Sequence, residues 1–314
     1  MRIGIDIGGT KIVVGLVNEA GRVTARKKVK TESDQGYAAV RDKVNRVVRD
    51  LLAETGARPK SIKSIGIACA GQIDHETERI IFSPNLQWTD APLKHDVETL
   101  TGIKTFIEND VNAATYGEWK FGFHGAGSNV VGIFIGTGIG GGLILNGTLF
   151  RGSNGVGGEL GHITLNPYGY PCRCGNTGCF EAYCGGSYVV GRVRQHLDQG
   201  YRGKLWDIIK GQVEGLNAGH IEEVSILGDE LCRRVWGEAI EYLGAALQSV
   251  ANFLNPDLII FGGGVVAGTR RLIEEARLVM ERRAMPASVA GLRMERARLG
   301  EEAMILGAAF VMDA

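Results

Sequence analysis

Short apolar runs that end in glycine alternate along this chain with longer stretches whose apolar residues return every three or four positions. Ile3–Ile7, Ile65–Ala68, Val130–Ile135 and Leu258–Phe261 read as strands, and glycine closely follows each: Gly8-Gly9, Gly71, Gly136 to Gly142, and Gly262 to Gly264. Between them, Val40, Val44, Val47, Val48, Leu51 and Leu52 predict a helix over Tyr37–Thr55, stopped by Gly56. Val235, Ala239, Leu243, Leu247, Val250 and Leu254 predict a longer one over Leu231–Leu254, which Asn255-Pro256 ends. A short helix over Glu301–Phe310 is entered from Gly300. Heptads, low-complexity tracts and fixed-period repeats are absent.

Length and composition narrow the function classes. The 314 residues suggest two domains, each large enough for its own core. With 44% hydrophobic and 22% charged residues the chain is not a disordered one. Lys+Arg and Asp+Glu both number 35, so no net charge points to nucleic acid or an anionic membrane as partner. No apolar run reaches a membrane-spanning length, and the N-terminus reads as a strand rather than a signal peptide. Six cysteines, three of them within Cys172–Cys179, suggest a local metal cluster in a reducing, cytoplasmic compartment rather than a disulfide framework.

The 47 glycines concentrate where strands end. Glycine there lets backbone N–H groups approach a ligand closely, so four such loops suggest a phosphate or sugar cradle; the plainer alternative is four tight turns. Gly136-Thr-Gly-Ile-Gly-Gly141 matches a dinucleotide fingerprint, but that fingerprint needs a helix to begin at the glycines. Here Gly142 to Phe150 is an apolar run broken by Asn146-Gly147, which predicts a strand and hairpin. Asp6-Ile-Gly-Gly-Thr10-Lys11 likewise leads into the β-rich Ile12–Val17, and no Walker sequence is present. Two strand–turn–strand loops point to nucleotide phosphates clasped between hairpins.

Asp6-Ile-Gly-Gly-Thr10-Lys11, Ile107-Glu-Asn-Asp-Val-Asn-Ala113, Gly158-Glu-Leu-Gly-His162 and Cys172-Arg-Cys-Gly-Asn-Thr-Gly-Cys-Phe-Glu181 together resemble the ROK family of sugar kinases and repressors. The resemblance runs from Gly4 to about Val311 and lies nearest the bacterial glucokinases. It implies an α/β, two-lobed actin/hexokinase-like (ribonuclease H-like) fold with its ligand cleft between lobes. Residues 1–115, joined by the C-terminal helix of about 299–314, would form the smaller lobe, and 116–298 the larger one carrying zinc. It also implies a homo-oligomer, dimer or tetramer.

The same resemblance implies ATP-dependent phosphorylation of a hexose, glucose first, with N-acetylmannosamine, N-acetylglucosamine, mannose or fructose as alternatives. Local pattern favours Asp110 as an Asx turn or helix N-cap before a helix over Asn112–Trp119, whereas the resemblance makes it the general base. Gly71, Asn85, Asn109, Glu159, His162 and Glu181 resemble the family's sugar contacts. Gly8, Gly9, Thr10 and Lys11 would meet terminal phosphates, Gly136, Thr137 and Gly138 form the second phosphate turn, and Gly262, Gly263 and Gly264 meet the adenosine. Asp6 would hold Mg²⁺ through water. Cys172, Cys174 and Cys179 with His162 make a Cys₃His set suited to structural Zn²⁺, which would orient His162 toward the sugar. A non-catalytic sugar-sensing regulator is the rival class. Such a repressor needs a helix-turn-helix ahead of the first glycine turn, and that turn begins near residue 6.

Overall fold

Ile3, Ile5 and Ile7 alternate with Gly4 and Asp6, and every residue of this run is buried, as a strand covered on both faces requires. In the computed structural model, which describes residues 1–314, it is the first strand of a mixed α/β protein. The chain proceeds through β1 (Arg2–Ile7), β2 (Lys11–Val17), β3 (Val23–Lys30), α1 (Gly36–Thr55), β4 (Ile65–Cys69), β5 (Gln72–Asp74), β6 (Arg79–Ser83), β7 (Trp88–Ala91), α2 (Leu93–Thr101), β8 (Thr105–Asn109) and α3 (Asp110–Gly117). A π-helical turn, Glu118–Gly122, follows. Then come β9 (Val130–Ile135), β10 (Ile139–Leu145), β11 (Thr148–Phe150), α4 (Phe180–Cys184), α5 (Gly186–Asp198), α6 (Lys204–Ile208), α7 (Ala218–Ile226) and α8 (Glu230–Leu254). The last elements are β12 (Leu258–Gly262), α9 (Gly264–Gly268), α10 (Leu272–Arg283), α11 (Pro286–Val289), β13 (Arg293–Arg296) and α12 (Glu302–Phe310). No helix is long and apolar enough to cross a membrane.

The chain divides into two units: Met1–Ser128 with Gly142–Gly158 and Ala297–Ala314, and Asn129–Gly141 with Glu159–Arg296. The first is built on a sheet in the order β3-β2-β1-β4-β8. β1 pairs antiparallel with β2, whereas β1, β4 and β8 run parallel, with Asp6 beside Ala68 and Ala68 beside Glu108. Their carboxyl ends therefore lie along one edge, the edge at which parallel sheets hold ligands. One face is covered by α1, whose Val40, Val44, Val47, Val48, Leu51 and Leu52 join the isoleucines of β1 and β4 in one core.

The other face explains glycines that the loop argument does not reach. A Cβ on Gly66, the second residue of β4, would overlap the carbonyl oxygen of Ala308 in α12. Gly4 has the same relation to Ile305. The C-terminal helix thus lies backbone-to-backbone on the sheet, a contact no side chain permits.

In the second unit β9, β12 and β13 run parallel, and α8 packs its apolar stripe against α4, α7 and α10. Asp229 caps α8, accepting from the Cys232 N–H at 3.0 Å, and Asn255 ends it in a left-handed conformation.

Candidate functional site

In the first unit, the turn between β1 and β2 closes through a Gly8 N–H bond to the Lys11 carbonyl at 3.0 Å. Two hydroxyls fasten its outside, Thr31 Oγ1 on the Gly8 carbonyl at 2.6 Å and Ser33 Oγ on the Gly9 carbonyl at 3.4 Å. A Cβ on Gly9 would press on the Asn85 carbonyl oxygen at 3.0 Å, so the exposed Asn85 turn and the glycine turn are neighbours. Lys11 and Lys28 both donate to Glu301, and these bonds hold its carboxyl down at about 2.

Asp110 stands one residue beyond β8 as the first residue of α3. The helix therefore begins two residues ahead of the Asn112 expected from sequence. Its cap is Asn109, whose side-chain oxygen accepts from Val111 N–H at 2.9 Å and Asn112 N–H at 3.1 Å. With the cap supplied by Asn109, the Asp110 carboxylate is not needed to start the helix, though its Oδ1 also accepts from Val111 N–H at 3.0 Å. Asn109 Nδ2 donates to the Gly71 carbonyl at 3.1 Å, linking the ends of β8 and β4. Gly71 has φ 140°, with its Cα face against Phe82 and Ser83 of β6.

Asp6, buried at the end of β1, is pushed up to about 7, first by burial and then by the negative charge of Asp110; Lys11 opposes both.

In the second unit, Gly136-Thr137-Gly138 turns between β9 and β10 with Gly136 N–H on the Gly138 carbonyl at 2.9 Å. The N–H groups of Gly186 and Ser187, at the start of α5, donate to the Gly136 and Thr137 carbonyls at 2.9 and 3.0 Å. This turn forms one wall of a cavity of about 500 Å³, whose other walls come from Val190 of α5, Leu216–Gly219 at the start of α7, and Gly264, Val265 and Gly268 of α9. Of the three consecutive glycines Gly262–Gly264, Gly264 lines the cavity; Gly262 is the last residue of β12, and Gly263, at φ 91°, backs onto Ile135. Sequence reasoning missed the Leu216–Gly219 wall, which carries no motif. It also missed Glu222, which accepts from the Arg270 and Arg271 N–H groups at 2.6 and 2.9 Å and so ties α7 to the segment after α9.

The ligand atoms of His162, Cys172, Cys174 and Cys179 lie within 4.8 Å of one another, and all three thiols are free. Cys174 Sγ and Cys179 Sγ are 3.7 Å apart, and His162 Nδ1 and Cys172 Sγ 3.8 Å. Zn–S bonds of about 2.3 Å in a tetrahedron put sulfurs about 3.8 Å apart, which these two separations match. The wrap is tight: Gly178, at φ 73°, donates to the Tyr170 carbonyl at 2.7 Å and abuts the Asn166 carbonyl, where a Cβ would collide. Cys69, Cys184 and Cys232 are buried elsewhere.

Glu159 is exposed and precedes the short 3₁₀ turn Leu160–His162. Glu181, in the first turn of α4, accepts from the Ile139 N–H at 2.8 Å through Oε2, while its Oε1 lies 3.8 Å from Cys172 Sγ. One carboxylate thus joins the end of the Gly136–Gly138 turn to the cysteine cluster.

Paired glycine hairpins, carboxylates at parallel strand ends and a separate cavity behind the second hairpin define an α/β protein of the actin/hexokinase-like class. The chain belongs to the ROK family, whose model matches residues 2–314. It is 35% identical over 268 residues, 84% of this chain and 82% of its relative, to a glucokinase of Streptomyces coelicolor. Its fold matches the crystal structure of a ROK family glucokinase from Streptomyces griseus in complex with glucose and AMPPNP, with a TM-score of 0.79, 33% identity, and 99% and 98% of the two chains covered. A xylose repressor of Caldicellulosiruptor bescii is also similar, at 29% identity over 97% of this chain and 76% of that one.

Proposed function

We propose that this protein is a sugar kinase that transfers the terminal phosphoryl group of ATP to a hexose hydroxyl, with glucose as the acceptor. The observation that carries the reading is the register of β1, β4 and β8, which gathers Asp6, Gly71 and Asp110 at one sheet edge beside the Gly8–Lys11 turn. Likeness to glucokinases, one of them solved with glucose and AMPPNP, supports the same reading.

In this mechanism Asp110 accepts the proton of the attacking hydroxyl as the sugar oxygen bonds to phosphorus and the bond to the departing ADP oxygen breaks. Asn85, Asn109, Glu159, His162 and Glu181 bond sugar hydroxyls, and Gly71 brings backbone close to the ring. The Gly8–Lys11 turn receives terminal phosphates through the N–H groups of Gly9 and Thr10 and the Lys11 ammonium, while the Gly8 N–H keeps the turn closed on the Lys11 carbonyl; Gly136, Thr137 and Gly138 form the second phosphate turn; Gly264 lines the adenosine cavity. Asp6 is the residue that would hold Mg²⁺ through water, and the ion's contribution is to neutralise phosphate charge. Cys172, Cys174, Cys179 and His162 would hold Zn²⁺, whose contribution is to lock the loop and the His162 ring.

The test is an ADP-release assay over glucose, mannose, fructose, N-acetylglucosamine and N-acetylmannosamine. Glucose should exceed fructose and N-acetylmannosamine by at least about tenfold in kcat/KM, because an unmatched buried polar group costs about 1–3 kcal/mol. A higher value for another sugar would overturn the acceptor while keeping the kinase. The likeness to a xylose repressor favours a second reading, sugar binding without turnover, and absence of ADP release with every sugar would select it.

A further inference from the structure

Glu108 is fully buried in β8, one residue before Asn109, and its charge is compensated from four places in the first unit. Its Oε1 accepts from the Asn109 N–H at 2.9 Å and from Asn112 Nδ2 at 3.1 Å. The same oxygen faces His75 Nε2 at 3.6 Å. Its Oε2 accepts from Arg151 Nε at 2.6 Å. Burial alone would raise this carboxyl, yet His75, Arg151 and Asn112 hold it below its ordinary value, so it is a carboxylate in the fold. A buried charge is strongly destabilising unless its partners are in place, so Glu108 draws Arg151 to a fixed point.

Arg151 opens the loop that runs to Gly158. The Gly157 N–H closes that loop on the Arg151 carbonyl at 2.8 Å. Its middle is seated on β5: Gly155, at φ 76°, has no room for a Cβ between the Ile73 carbonyl and His75, which would lie 2.8 Å from it. The residue after the loop is Glu159. One carboxylate thus bonds the backbone entering Asp110 and the side chain that roots the loop leading to Glu159.

We propose that Glu108 is a positioning residue: through Arg151 it pins the loop Arg151–Gly158 relative to Asn109 and Asp110, and this sets sugar affinity and turnover. The kinetic half of this rests on the sugar-kinase reading; the pin itself does not.

The experiment compares Glu108→Gln, Arg151→Gln and the double variant by steady-state kinetics and by amide hydrogen exchange. In each, exchange over residues 151–158 should quicken while exchange in α8 is unchanged. Sugar KM should rise at least about tenfold in every variant, with KM for ATP moving less than about twofold, since a small misplacement at a site costs that order. The two changes act through one contact, so the double variant should match either single one. Unchanged exchange over 151–158, effects that multiply in the double variant, or a parallel rise in both KM values would each overturn the proposal. If wild-type protein phosphorylates no hexose, the kinase reading fails and the exchange result alone decides the pin. If Glu108→Gln does not fold, Arg151→Gln, at a partly exposed position, gives the same readouts.

Discussion

The Asp6 carboxyl is lifted to about 7 by its own burial and, next, by the negative charge of Asp110. The two acids stand at the ends of β1 and β8, the strands that flank β4, and the Asp110 charge makes Asp6 harder to ionise in the absence of a cation.

This has a consequence for stability. Asp6 keeps its proton when folded at pH values where the unfolded chain, near 3.8, has lost it. The folded state then binds more protons, so stability falls as pH rises between about 4 and 7. Without Mg²⁺, wild-type Tm should drop more across that window than the Tm of Asp6→Asn. Equal slopes would mean that Asp6 does not titrate as its surroundings dictate.

Asp110 bears on rate. Asp110→Asn keeps the size of the side chain but removes its capacity to take a proton, while Asn109 still caps α3. Turnover should fall by roughly 10²–10⁴, with sugar affinity much less changed. A variant keeping more than about a tenth of wild-type kcat would remove Asp110 from the role of base.

The cysteine cluster makes a compositional claim. Purified protein should hold about one zinc per chain, and Cys174→Ser should lose metal and sugar affinity together if the metal orients His162. Metal analysis paired with sugar KM checks this; zinc loss at constant KM would leave the cluster a structural clip alone.

Gly66→Ala tests the backbone contact between β4 and α12. The added methyl would overlap the Ala308 carbonyl, so the helix must lift from the sheet. The cost should exceed the about 1–3 kcal/mol of ordinary overpacking. Urea unfolding would register it, and a loss under about 1 kcal/mol would show that α12 shifts freely.

Much of this was legible along the chain. The helical periods of α1 and α8, the two glycine turns joining strand to strand, and the cysteine spacing are local facts. Period, turn chemistry and ligand spacing act within a few residues, so they need no knowledge of the fold. Local pattern alone favours Asp110 as an Asx turn or helix cap, and only the family resemblance makes it a base; in the structure Asn109 is the cap.

Tertiary structure decided the rest, because it depends on groups far apart in sequence. Glu108 and Arg151 are 43 positions apart, and nothing in Ile107–Ala113 marks Glu108 as a buried charge with a partner. Glu222 likewise finds its two N–H donors 48 and 49 residues away. Gly66 reads as a weak point in a strand until α12 lies on it. Above all, the register of β1, β4 and β8 places Asp6 and Asp110 at one edge. Strand order is settled by which faces can be buried together across the whole core, an energy that no local segment carries.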